Sequence, residues 1–398
     1  MTPTIKPKRD YRGHPLFSYG FRPFFLLSAI WAAIAIPLWI ASHSLGTGAM
    51  PVNAGIVFHV HEMVFGYGSA VLAGFLLTAI PSWTGRRPVC GSPLVLLVLL
   101  WTAGRIAMVL GTEPIWIVSL IEAAFLVVLA GLVWREIIAG HNGRNLKVAA
   151  AVTALAVANI GFHAVVLTSG GLPQMAIRAG LSVLIFLILL VGGRITPTFT
   201  RNWLAGQSKS LPAQHGKLDD LCLILSLGAL AGWTILESTG VASVLLVVSG
   251  LLNVMRLLRW RGELTMAEPL LIALHVGYLW TASALVLIGL AGLAPAHVPA
   301  VAGTHAAGAG AVGVMTLAVM TRASLGHTGR ALHAGSGTVA IYALVNLGAL
   351  IRVAAPFLDS PIQSQANHLA AALWAGGFAG FALLYGPRLI GARIAPPA

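Results

Sequence analysis

Apolar residues in this chain do not alternate with polar ones. They run in long windows, which fall roughly at 21–41, 56–81, 93–111, 114–134, 148–168, 174–193, 219–237, 241–258, 268–291, 299–320, 337–356 and 364–386. A helix of about 20 apolar residues crosses a hydrocarbon core of ~30 Å, so each of the twelve windows predicts a transmembrane span. The breaks between them are short and rich in turn formers, as in Gly46 to Asn53, Gly170 to Pro173 and Asp359 to Gln365. The longest, Thr196 to Lys217, holds two prolines and reads as a loop. The pattern predicts an all-α, polytopic membrane protein. It forms one integral domain over 1–398, with tails of about 1–20 and 387–398.

Composition supports that class. Charged residues make up 9% and hydrophobic residues 58%, with a mean hydropathy of +0.88. A water-facing surface needs roughly a quarter to a third charged residues, so a soluble enzyme is excluded. The net charge of +13 would point to nucleic acid in a soluble protein. Here its placement matters more. Of the 24 Lys and Arg residues, 21 fall at the two tails and in alternate connections, among them Arg22, Arg86, Arg87, Arg135, Arg194, Arg256, Arg322 and Arg388. Lys/Arg bias in short loops sets orientation, so both termini are expected in the cytoplasm and nucleic acid is not an expected partner. The basic start leads into a full-length span without a small-residue cleavage site, so no cleavable signal is expected.

Ionisable groups inside spans cost about 2.5–3.5 kcal/mol each on insertion scales and call for a reason. Histidine dominates this set. His59 and His61 open span 2 beside Glu62, His163 and His305 lie near the outer ends of spans 5 and 10, and His368 lies just inside span 12. His275 sits lower, toward the cytoplasmic end of span 9. Neutral imidazole is a common metal and haem ligand. A haem held between helices needs one histidine from each at matching height, which His59 or His61 with His163 or His305 provides. Residues two apart on a helix point roughly 200° apart, so His59 and His61 suit two neighbouring sites rather than one. A hydrogen bond to a backbone carbonyl is the bland alternative for any one of them. His14, His43, His141, His215, His297, His327 and His333 fall in predicted loops, where solvation is expected.

Three arginines escape the cytoplasmic side: Arg105, Arg178 and Arg352, in the outer thirds of spans 3, 6 and 11. Arg105 is a candidate for a haem propionate but is expected rather to pair with Glu122, because each lies similarly far from the tight connection between spans 3 and 4. Arg178 and Arg352 lack an obvious acidic partner, which favours a haem propionate or an anionic lipid. Glu62 fits a proton carrier, a partner that fixes a histidine tautomer, a copper ligand, or a carboxyl kept neutral by burial. Cys90 and Cys222 form no C-x-x-C or C-x-x-C-H motif, which leaves neither a covalent haem nor a Cys-built zinc site. The string Gly308–Gly313 (GAGAVG) lies inside an apolar span and reads as small-residue helix packing, not as a nucleotide fingerprint.

Spans 2, 6 and 10 end alike, in LLTAIPSWTGR, GGRITPTFTRNW and LAVMTRASLGHTGR, which hints at three related four-helix units. That arrangement is similar to the catalytic subunit of haem–copper oxidases and nitric oxide reductases. The likeness is architectural only, because spans 6 and 7 lack the histidines which that family carries there. A closer resemblance covers essentially the whole chain. YGFRPFFLLSAIWA, HVHEMVFGY, AGFLLTAIPSWTGR, GGRITPTFTRNW and VMTRASLGHTGR, in this order, resemble the NnrS family. The resemblance implies a multi-pass bacterial inner-membrane protein that contains haem b and copper and serves denitrification or resistance to nitric oxide. It puts forward His59, His61, Glu62, His305 and the Arg194–Trp203 segment as functional.

The leading expectation is a membrane oxidoreductase acting on nitric oxide at a His-ligated metal site near the outer face. Its ligands would come from His59, His61, His163, His275 and His305, with Glu62 handling protons. The quinone pool is the expected electron source, with His275 as a contact. Loss of haem is expected on His61→Ala or His305→Ala and not on His327→Ala. Two other classes compete: a twelve-helix secondary transporter, and a haem-based sensor or metal-delivery protein without turnover. Transporters usually show two six-span halves and midplane sites. The threefold hint and the off-centre histidines weigh against that class.

Overall fold

A computed structural model of the chain describes residues 11–45, 55–111, 114–207, 209–237 and 240–394. The Gly46 to Asn53 connection and Lys6, Lys8 and Arg9 lie outside the described residues. Twelve helices are long and apolar enough to cross a membrane: α1 (Phe21–Leu45), α2 (Ile56–Thr84), α3 (Ser92–Leu110), α4 (Ile115–Ala139), α5 (Gly143–Ser169), α6 (Gln174–Ala205), α7 (Lys217–Leu236), α8 (Gly240–Leu258), α9 (Pro269–Leu293), α10 (Ala300–His327), α11 (Ser336–Phe357) and α12 (Ser360–Ile390). Each coincides with one predicted span. Helices adjacent in sequence pack as neighbours, and α1 closes against α12. The described parts of both termini therefore lie at one end of the bundle, with the described members of the basic set; this is called the basic end below.

The outer helices keep exposed apolar stripes, such as Leu96 and Leu99 on α3 or Val241 and Val244 on α8, as expected of faces turned to lipid. α2 is the most buried helix, followed by α10, with α6 and α9 next. α2, α6 and α10 also share a local feature. Each widens into a π-helical stretch, at Glu62–Tyr67, Ile188–Gly192 and Ala306–Val314. π-Bulges frequently mark functional sites. Their recurrence every four helices matches the sequence likeness of the same three spans.

The largest departure from the sequence reading is at α6. The expected loop from Thr196 is helical to Ala205, straight through Pro197. Proline removes the bond to the carbonyl four residues back, that of Gly193. Arg256 of α8 supplies donors there instead: Nη2 lies 3.4 Å from Gly193 O and Nη1 3.2 Å from Leu189 O. Gly193 is required for this, because a Cβ at that position would meet the Arg256 guanidinium at 2.6 Å. Arg256 is itself neutralised by Asp219 at 2.8 Å and bonded to the Tyr278 hydroxyl at 2.8 Å. In α10 the GAGAVG stretch does serve packing. Gly310 admits the Trp280 ring and Gly313 the Trp374 ring.

Candidate haem and metal sites

The sequence HVHE at the head of α2 sends its side chains to two different places. Residues 56–61 are α-helical and the wider π turns begin at Glu62. The extra width turns the Gly66 carbonyl outward, where Trp101 Nε1 donates to it at 3.0 Å. Gly66 also lets Arg105 approach, since a Cβ there would lie 2.6 Å from Arg105 Nη1 and 2.7 Å from Glu62 Oε2.

On one side, His59 faces a cavity of about 450 Å³ among α1, α2, α6, α10, α11 and α12. His305 of α10 lines the same cavity. The two imidazole centroids are 6.3 Å apart and their planes differ by 12°. Two imidazoles that each place a nitrogen about 2 Å from one shared ion have centroids roughly 6 Å apart. His305 Nδ1 donates to Val301 O at 2.9 Å, which leaves Nε2 as the free lone pair. His59 stacks on Trp39 with centroids 4.0 Å apart, and its Nδ1 is buried with no hydrogen-bond partner. The rest of the wall is mainly apolar, including Met63, Tyr67 and Trp374, with Arg352, Gln174 and Asn367 as polar points. Asn367 Oδ1 is likewise buried and unpartnered. Arg352 makes no ion pair among the described residues.

On the other side, His61 enters a buried cluster. Its Nδ1 lies 2.8 Å from Glu62 Oε1, and its Nε2 lies 3.1 Å from Asn159 Oδ1 and 3.4 Å from Glu122 Oε2. Glu122 Oε2 also accepts from Asn159 Nδ2 at 2.7 Å and lies 3.5 Å from His163 Nε2. Arg105 bridges the carboxylates, with Nε 3.0 Å from Glu62 Oε2 and Nη2 bonded to Glu122 Oε1. One ligand atom each from His61, Glu122 and His163 lie within 4.8 Å of one another. Two carboxylates face one guanidinium here, which leaves one negative charge to balance. Burying an uncompensated charge costs several kcal/mol, so a proton on a carboxyl, a proton on an imidazole or a metal ion is called for.

The expected Arg105–Glu122 pair is present, enlarged by Glu62. Of the pairings open to the four outer histidines, the structure makes His59 with His305 and His61 with His163, whose ring centroids are 4.9 Å apart. Arg178 departs from expectation: it does have an acidic partner, Glu237, at 2.9 Å. α6 begins and α7 ends at the same end of the bundle, so residue 178 and residue 237 come level. His275 stands apart from the other histidines, with Nδ1 on Leu271 O at 2.9 Å and Nε2 3.5 Å from Thr200. His368 bonds Ser364 O and Ser44, as an interface residue would. Sequence reasoning missed Asn159, a small polar residue inside an apolar run, and Trp39, whose partner only the packing reveals.

Set beside known protein families, the chain matches the family described as NnrS protein over residues 15–393. The chain belongs to the NnrS family. No curated protein matches it. Within this NnrS chain, the HVHEMVFGY segment builds both sites: His59 opens onto the cavity, His61 and Glu62 onto the buried cluster, and Met63 and Tyr67 return to the cavity wall. The Arg194–Trp203 segment is remote from both and belongs to the basic-end half of α6.

Proposed function

We propose that the chain is a haem- and copper-binding membrane redox protein that acts on nitric oxide. The single observation that carries the reading is the near-parallel His59–His305 pair at 6.3 Å in an apolar cavity. The donor set fits haem b. Two histidines address one metal position, the walls are apolar, and Arg352 offers a guanidinium suited to a propionate. A pocket of this size lies in the range that encloses cofactors, about 300–1,000 Å³. Bound there, haem would supply a one-electron redox centre. What the chain contributes is ligation from two helices, exclusion of water, and a fixed cation at the cavity edge.

His61, Glu122 and His163 are the proposed ligands of a second metal, copper, with Glu62, Asn159 and Arg105 orienting them. Nitrogen and carboxylate donors together suit copper. Glu122 Oε2 stands 3.4 Å from His61 Nε2 and 3.5 Å from His163 Nε2, the spacing of donors that each lie about 2.1 Å from one ion. The alternative for this cluster is a proton on His61 in place of the metal. Glu62 touches His61 and Arg105 and is the proposed proton-handling group. Nitric oxide is neutral and membrane-soluble, so neither site needs a hydrophilic channel. The proposed setting is a bacterial inner membrane with both termini cytoplasmic, on the strength of the basic-residue bias. Quinol is the proposed electron donor; the isolation of His275 from both sites gives it no part in them. Optical spectra and metal analysis of protein purified without chelator test the reading. Iron with a Soret band and a second metal are expected; protein free of iron overturns it.

A further inference from the structure

The basic end of the bundle holds a crevice of about 1180 Å³ that neither proposed redox site uses. It is bounded by the segment before α1, the α2–α3 loop, the ends of α4 and α10, and the stretch after α12. Six arginines line it: Arg12, Arg22, Arg86, Arg87, Arg135 and Arg393. Among the described residues Glu136 is the one carboxylate in its lining, and it is already neutralised by Arg86 at 2.6 Å and Arg135 at 2.7 Å. The other four arginines form no ion pair among the described residues. Converging like charges repel and are costly to hold together unless an anion joins them.

The walls are built rather than loose. Arg22 is buried and donates through Nη1 to Leu389 O and Gly391 O, both at 2.7 Å, which clamps the end of α12 against α1. The next stretch is fixed where Ile394 N donates to Thr328 O at 3.0 Å, across Gly329 in its left-handed turn (φ 76). That bond sets the position of Arg393. Opposite, Gly91 N donates to Phe17 O at 2.9 Å and ties the loop carrying Arg86 and Arg87 to the N-terminal segment. Arg330 adds to the positive field: Arg22 senses its charge, and its Nη1 is buried without a partner. Burial and the neighbouring Arg388 lower the pKa of the Arg330 guanidinium.

We propose that this crevice binds the phosphate headgroup of an anionic phospholipid, held chiefly by Arg12, Arg22, Arg87 and Arg393. Guanidinium pairs bidentately with phosphate oxygens, and basic pockets between transmembrane helices are suited to such headgroups. The lipid source follows from position. The crevice lies at the level where spans end, and Val89, Pro93 and Leu132 give it an apolar flank for the start of an acyl chain. This assignment is independent of the haem and copper reading.

The test uses the full chain, delipidated in uncharged detergent and titrated with mixed micelles of phosphatidylcholine containing phosphatidylglycerol or cardiolipin. Native mass spectrometry reads retained lipid, and thermal unfolding reads stabilisation. Anionic lipid is expected to be retained and to raise the unfolding midpoint, whereas phosphatidylcholine alone does neither. The pair Arg87→Gln with Arg393→Gln, both exposed positions, is expected to weaken that binding about tenfold or more. The pair Arg144→Gln with Lys217→Gln, exposed at the same end but outside the crevice, is expected to leave it unchanged. Equal loss in both pairs would mean general surface attraction and overturn the proposal. Undiminished binding in the crevice pair would overturn it too, as would inorganic pyrophosphate stabilising the protein as well as the lipid does.

Discussion

His59 and His61 stand two residues apart on one helix, yet the His59 ring centroid lies 6.3 Å from that of His305 across a cavity while His61 lies 3.4 Å from Glu122 inside a buried cluster. A rotation of roughly 200° between them makes α2 the shared wall of two sites. The two sites should therefore fail separately when their residues are changed.

Filling the cavity should exclude the large group and spare the fold. Gly308 lines the cavity, and a Cβ there meets nothing within 4 Å. Gly308→Phe is expected to keep the unfolding temperature within a few degrees of wild type and to lose most bound haem. Absorbance ratios at the Soret band and 280 nm, read beside a thermal melt, check both halves.

The buried cluster should be far more sensitive than the exposed pair. Glu122→Ala leaves Arg105 and His61 without their partner and is expected to cost about 3–5 kcal/mol. Glu237→Ala removes only the exposed partner of Arg178 and is expected to cost less than about 1 kcal/mol. Denaturation in detergent compares the two. The milder Glu122→Gln should fold, keep the Soret band and lose the second metal.

How much of this was legible in the chain depends on which direction the information runs. Depth along the membrane normal is written in the sequence, because hydropathy fixes each span and a residue's distance from its ends. That is why twelve spans, the shared level of His59, His163 and His305, and the Arg105–Glu122 pair could be read. Lateral neighbourhood is not written there. Whether His61 faces α5 or α10 depends on rotation and on the π turns after it, and the sequence shows neither. The Arg178–Glu237 pair was readable by the same depth reasoning as Arg105–Glu122, had the outer end of span 7 been matched to the start of span 6. The helix past Pro197 was not readable, since it depends on Arg256 arriving from α8.

Gly193 should tolerate no side chain for that reason. Gly193→Ala forces the Arg256 guanidinium away from the carbonyls it serves in α6 and is expected to destabilise by about 1–3 kcal/mol. Thermal unfolding checks it, with Gly228→Ala as control, because a Cβ there meets nothing within 4 Å.

Arg352 and Arg178 should differ in their effect on the cofactor. Arg352 lines the cavity, whereas Arg178 is engaged by Glu237. Arg352→Gln is expected to release haem about tenfold more readily on transfer to an apo-globin acceptor, a loss of one charge-assisted contact. Arg178→Gln should leave the transfer rate unchanged.

The most direct test of the haem assignment is iron and Soret absorbance per protein in wild type, His59→Ala, His305→Ala and His61→Ala purified in parallel. His59→Ala and His305→Ala are expected to lose both signals. His61→Ala is expected to retain them while losing the second metal, which revises the expectation from sequence that it loses haem, because His61 turns into the Glu122 cluster and not the cavity. Full haem in His59→Ala, or haem lost from His61→Ala alone, would contradict the assignment.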